Sequence, residues 1–150
     1  MEDFIIAMDE AMVQLCNYDR IIDEKRRDYG CGIEMTPREI HVLESIYNHP
    51  TLNATELSDS VGLQKGTFSK VTHRLENWGL IRRYQNSTNR KEIFFLVTEL
   101  GQTAYDGHYK FHKRTSPTSY EYFHHYTEEQ QATIMEFIGH YTQYLKDYLD

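Results

Sequence analysis

The chain has 150 residues, a formal net charge of −7 and an ordinary composition, 39% hydrophobic and 26% charged, with twelve tyrosines. That length supports one domain with a sizeable core, and a lone pair of cysteines, Cys16 and Cys31, excludes a disulfide framework. The acidic opening is unlike a signal peptide and no apolar run approaches membrane length, so a cytoplasmic protein with no membrane partner is expected.

From about Asp3 to Asp28 the apolar residues Phe4, Ile5, Met8, Met12, Leu15, Tyr18 and Ile22 approximate one helical stripe. A helix of about 26 residues is about 39 Å long. That exceeds what a small head can cover, so the surplus apolar face calls for a second copy of the chain. Cys16 falls within this stripe and reads as an inert thiol. The charged run Asp23 to Asp28 reads as a solvated last turn, and Gly30-Cys31-Gly32 as a break. Thr36-Pro37-Arg38-Glu39 is a helix start: Thr36 caps, Pro37 sits at N1 and Glu39 completes a capping box. This helix runs to about Asn48, burying Ile40, Leu43 and Tyr47, and His49-Pro50 ends it.

The next stretch, Asn53 to Gly101, reads as helix, tight turn, helix and hairpin. Asn53 and Glu56 form a capping box for a helix over about Ala54 to Ser60, with Leu57 and Val61 on its inner face. Gly62 suits the turn. The second helix runs from Gln64 to about Trp78, with Phe68, Val71, Thr72 and Leu75 inward, and Gly79 terminates it. Its outer face carries Thr67, Lys70 and Arg74, with Gln64 and Lys65 at the exposed start. Leu80 to Gln85 and Glu92 to Val97 alternate as strands around the polar turn Asn86 to Asn89, with Arg90 and Lys91 beside the tip. A charged helix face is usually just solvated. Here, however, Gln64 to Lys91 holds seven Lys/Arg and one acid, while the rest of the chain holds nine bases and twenty-two acids. Such segregation is the footprint of a polyanion partner, with the second helix suited to the major groove and the hairpin to the adjacent minor groove or backbone.

Thr98 should cap a helix running to about Arg114, with Leu100, Ala104, either Tyr105 or His108, and Phe111 along it. Thr115 to Ser119 reads as a loop or bend. The aromatic tract Tyr120 to Tyr126 is ambiguous, and packing between copies is the favoured reading. Thr127 and Gln130 form a capping box for a last helix to about Leu149, with Ile134, Phe137, Ile138, Tyr141, Leu145 and Tyr148 on its apolar side. No Walker loop, GxGxxG or GxSxG is present, and an enzyme is not expected. His108 and His112 stand at the i, i+4 spacing that can place two imidazoles on one ion, although most such pairs bind nothing.

Taken in order, Met35-Thr36-Pro37-Arg38-Glu39, the core LSDSVGLQKGTFSKVTHRLENWGLIRR, Asn89-Arg90-Lys91 and Val97-Thr98-Glu99-Leu100-Gly101 resemble the MarR family of bacterial winged-helix transcription regulators. Each piece is weak alone; their joint order over about two thirds of the chain carries the resemblance. It implies a mainly α fold with a small β-hairpin wing: one MarR-type domain over residues 1–150. Its winged helix-turn-helix, at about residues 36–98, is flanked by dimerisation helices at about 3–29 and 99–149. It implies a homodimer on a pseudo-palindromic double-stranded DNA operator, with Gln64, Lys65, Thr67, Lys70 and Arg74 reading and Arg90 entering the minor groove beside Lys91. Asn89 stands where the family often has Asp.

Zinc-responsive members of that family have a His in the second helix, an HxxxH in the fifth and an acid from the first. The resemblance therefore adds His41 and Glu24 to His108 and His112 as ligands of a regulatory zinc. Members that repress fatty-acid synthesis resemble the same stretch at Lys110-Phe111-His112 and respond to an acylated carrier protein, in which case the histidines are packing residues. The expected function is a repressor answering a small ligand or metal. The rivals are a winged-helix module for protein contact and a metal-dependent hydrolase, for which convergent ligands and a base are too few. Salt-dependent binding to duplex DNA separates the first reading from the other two.

Overall fold

Capping boxes set the starts of three of the helices. The structure, a computed structural model, describes residues 1–85 and 91–149; the expected wing turn, Asn86 to Asn89, and Arg90 lie outside the described residues. It divides into two compact units, Met1–Phe111 and His112–Asp150. The division falls inside a helix and not at its start.

The first unit opens with α1, Glu2–Asp23, none of whose residues is buried. This helix is shorter than the expected run to Asp28. Asp23 turns its carboxylate to the start of the next helix, accepting from the Arg38 backbone N–H at 3.0 Å and pairing with the Arg38 guanidinium. The chain then forms β1, Arg27–Asp28, antiparallel to β2, Glu34–Met35, so the supposed last helical turn is partly a strand. Asp28 Oδ1 accepts from the N–H groups of Gly30, Cys31 and Gly32 at 2.8–3.0 Å, which folds the hairpin tip. Cys16 is exposed on α1.

Helix α2, Pro37–Asn48, begins at Thr36, which accepts from Glu39 N while the Glu39 side chain accepts from Thr36 N at 2.9 Å. Ile40 and Leu43 are fully buried. Tyr47 is not: it is 38% exposed and stacks on Tyr105 with ring centroids 4.0 Å apart. Helix α3, Ala54–Ser60, carries the Asn53/Glu56 box. Gly62, at φ +66°, then makes the turn into α4, Lys65–Asn77. The expected inner face of α4, Phe68, Val71, Thr72 and Leu75, is buried throughout. Gly79 ends the helix at φ +73°, where Leu80 N donates to Leu75 O at 2.9 Å. Strands β3, Ile81–Tyr84, and β4, Phe94–Val97, pair antiparallel with Ile81 opposite Val97. These helices and strands enclose a core of Met35, Ile40, Leu43, Leu57, Leu75, Leu80 and their neighbours.

Helix α5 runs over Glu99–Phe123 with Pro117 inside it. The expected end near Arg114 and the loop Thr115 to Ser119 are therefore not formed. A proline removes one rung of the ladder, and the rungs on either side carry the helix across. Thr98 caps its start, its hydroxyl accepting from Gly101 N at 3.1 Å and donating to the Gly79 carbonyl at 2.6 Å. Of the two alternatives along this helix, His108 is buried.

Two glycines let α5 lie directly on neighbouring backbone. A Cβ at Gly101 would stand 2.1 Å from Leu80 O, and one at Gly107 only 1.7 Å from Tyr29 O.

In the second unit the remainder of α5 is followed by α6, Glu128–Asp147, which starts at the expected Thr127/Gln130 box. None of this unit's described residues is buried; Phe123, Met135, Ile138 and Tyr144 are exposed.

Gly107→Ala should destabilise the chain by about 1–3 kcal/mol in urea unfolding, because the added methyl meets backbone that cannot change rotamer. Gly66→Ala, with nothing near the added carbon, should be neutral or gain up to about 1 kcal/mol in helix propensity.

Candidate functional site

Helix α4 is held by its apolar face and turns the other to solvent. Gln64, Lys65, Lys70 and Arg74 are exposed on it and Thr67 is half-buried. Ser69 and His73 are exposed too, four and eight residues after Lys65, and share its side of the helix. The sequence reading passed over both; the helical period that found the inner face was sufficient to find them. Lys91 is exposed just before β4, and Arg90 lies outside the described residues.

Arg74 has a second engagement. Its Nε donates to Glu39 Oε1 at 2.7 Å, and Glu39 is fully buried while the Arg74 side chain is 46% exposed. The arginine thus ties α4 to the N-terminus of α2. On β3, Arg83 lies 3.6 Å from Glu76 and 5.9 Å from the centre of the Phe95 ring, while Arg82 is exposed. A recess of about 160 Å³ between α4 and the wing is bordered by Lys65, Ser69 and Arg83. The face presents cations, a hydroxyl and an imidazole on a rigid support, which is the chemistry that phosphates and base edges accept.

A second cluster gathers around His108. The His41 ring on α2 stands with its centroid 5.2 Å from that of His108, and each offers a ring nitrogen within 4.8 Å of the other. Tyr29 meets His108 edge-on at 5.1 Å and Phe111 at 6.0 Å, and the Arg27 guanidinium lies 4.0 Å over Phe111. His112 follows one turn later on the same helix, exposed, as the first residue of the second unit. Glu24 does not join: among the described residues the histidine group has no acid in it. The reason is the early end of α1, which makes Asp23 the acid that turns inward and leaves Glu24 as an exposed C-cap. The acid beside His108 is Glu44, with Oε2 3.6 Å from Nδ1. It lies three residues after His41 on the same helix, a spacing visible in the sequence and passed over. The ring nitrogens of His41 and His108 are donors of the kind that zinc takes. Cys31 is no activated thiol, since burial pushes its pKa up. Burial likewise raises the Tyr29 phenol.

Residues 35–93, which span α2 through the wing, match the MarR family model. The Bacillus subtilis HTH-type transcriptional regulator YhjH is 30% identical over 104 residues, 67% of this chain and 59% of that protein.

The chain belongs to the MarR family.

The matches span 46–59% of the length of the curated HTH-type relatives. Two solved structures share the fold. Streptococcus pneumoniae FabT, in complex with DNA, superposes with a TM-score of 0.66 at 20% identity, covering 96% of this chain and 99% of that one. Lactococcus lactis ZitR, a zinc-responsive MarR family member, gives 0.66 at 15% identity, covering 95% and 99%. The MarR winged helix, mainly helical with its two-stranded wing, is thus the architecture here.

Replacing Glu39 by Ala strips the Thr36 N–H and the Arg74 guanidinium of their acceptor. The expected loss is about 1–3 kcal/mol in urea unfolding, mostly from the buried cap, because the half-exposed guanidinium recovers water. Unchanged stability would show that the brace carries no load.

Proposed function

We propose that this chain is a dimeric, sequence-specific DNA-binding transcription regulator, a repressor whose operator affinity answers to zinc. The observation that carries the DNA reading is the solvent-facing stripe of Lys65, Ser69, Lys70, His73 and Arg74 on a helix whose opposite face is fixed in the core. FabT, whose fold this chain shares, was solved in complex with DNA. Lys65 and Lys70 contact phosphates, Gln64, Thr67 and Arg74 reach base edges or backbone, and Arg90 enters the minor groove with Lys91 beside it.

Dimerisation is supported by α1, whose Phe4, Ile5, Leu15, Tyr18 and Ile22 all stay exposed. A two-fold dimer sets two reading helices about 34–36 Å apart and selects a pseudo-palindrome. No helix among the described residues is long and apolar enough to cross a membrane, and a cytoplasmic location fits this reading. Selection of bound duplexes from a random pool tests it. Sedimentation should give a dimer, the selected site should have two-fold symmetry, and affinity should fall steeply with salt as counterions are released. Lys70→Ala should reduce the salt slope by about one, and Arg90→Ala should cost about 1–3 kcal/mol of specific binding with the fold intact. A site without two-fold symmetry, or no loss in Arg90→Ala, would overturn the assignment.

Zinc is the effector that the His41–His108 juxtaposition favours, and His112, one turn further along α5, would be a third ligand. Holding α2 to α5 would bias the placement of the reading head, which an effector must do to change DNA affinity. ZitR is described as zinc-responsive. Zinc titration of the parent against the His108→Ala, His112→Ala double variant should show weaker binding in the variant. Binding should also weaken as pH falls, because protons compete for the same lone pairs. Equal affinity in both proteins, or zinc binding with no change in operator affinity, would remove zinc from the mechanism.

A further inference from the structure

Gly66 is a glycine that the fold does not use. It is the second residue of α4 and is exposed. Its φ is not positive, so no turn requires it. Among the described residues nothing lies within 4 Å of the place where its Cβ would stand, whereas Gly101 and Gly107 each lie on neighbouring backbone. Glycine is a poor helix former, so α4 gains nothing from it. Gly139 on α6 is open in the same way; what sets Gly66 apart is the line of α4 on which it stands. It lies about 170° around the helix from the middle of the buried face formed by Phe68, Val71, Thr72 and Leu75. Ser69, Lys70 and His73 follow it on the same side, three, four and seven residues on, and all three are exposed.

We infer that Gly66 is a positioning residue of the proposed DNA site, its missing side chain setting how deeply the first turn of α4 enters the major groove; this rests on the DNA reading above. A helix with its side chains is about 10–12 Å across and the major groove is about 12 Å wide, so the fit leaves little clearance. The depth is then set by the residue that points furthest into the groove. Glycine at that point lets backbone come directly against the partner, as it does wherever a chain approaches a ligand closely. Ser69, one turn on, has a short side chain, and its hydroxyl reaches a base edge only from a deep seat. Lys65 and Lys70 are long and exposed, and they reach phosphates from either depth. Gly66 therefore acts on the base contacts and leaves the phosphate contacts alone. Stability and specific affinity should move in opposite directions when a methyl group is added there.

The experiment compares the full-length parent with Gly66→Ala, Gly66→Gln and Lys70→Ala. The probes are the duplex that the parent selects from a random pool and an unrelated duplex of the same length. Urea unfolding of both Gly66 variants should have the parent's midpoint or a higher one. Gly66→Ala should bind the selected duplex about 5- to 150-fold more weakly, the range that an extra methyl costs in a close-packed contact, and Gly66→Gln more weakly still. Both should bind the unrelated duplex nearly as the parent does, because non-specific binding rests on phosphates. For the same reason their salt slope should equal the parent's, whereas Lys70→Ala should reduce it by about one. Parent-like affinity of Gly66→Ala for the selected duplex would overturn the inference. So would equal losses on the two duplexes, or a lowered urea midpoint, which would make the glycine a requirement of the fold. If the parent binds no duplex in a salt-dependent way, the DNA reading itself fails and takes the role of Gly66 with it. That failure is recognisable because the parent alone reveals it.

Discussion

A single buried carboxylate joins the parts of this molecule that must stay in register. Glu39 has no exposed surface, yet its two oxygens face three elements: the Thr36 N–H that starts α2, the Arg74 Nε of the reading helix, and, at 3.7 Å, the Arg26 guanidinium before β1. A buried charge without partners would be costly. Here each oxygen has a donor, so the cost is offset and the carboxylate becomes specific about what surrounds it. Helix α4 packs through apolar contacts that alone would tolerate some slide along its axis. The Glu39–Arg74 bond fixes its rotation and height relative to α2.

That brace divides the basic residues by task. Arg74 and Arg83 each have an acidic partner within the fold, so part of the positive charge of the reading head is spent on its own architecture. Lys65 and Lys70 stand on the open side of the same helix. The acids are concentrated elsewhere in the chain, so the long-range field is most positive around α4 and the wing strands.

Much of the architecture was legible because the signals were local. The boxes at Thr36/Glu39, Asn53/Glu56 and Thr127/Gln130 each sit within four residues, and all three formed. The inner face of α4 followed from its period. What escaped the sequence reading depends on distant partners. Helix α1 ends early because Asp23 meets a residue fifteen positions on, and the reading helix is braced by an acid thirty-five positions back. Tyr47 stays half-open because Tyr105 gives it a stacking surface. Glu24 was carried over by resemblance and stands apart from the histidines, whereas Glu44 meets His108 only through tertiary folding. Pro117 misled in the opposite direction: a local breaker signal was overridden by the helix on both sides of it.

The two glycine contacts of α5 have a mechanical meaning. Where side chains separate two elements, a small displacement can be taken up by a change of rotamer. At Gly101 and Gly107 no side chain intervenes, and the helix rests on the carbonyls of Leu80 and Tyr29. Close-packed backbone is nearly incompressible. The segment of α5 between these points therefore behaves as a keel bolted to the wing root at one end and to the β1–β2 hairpin at the other. His108 lies one residue beyond the second of these contacts, on the stretch of the helix that has the least freedom to shift against its neighbours.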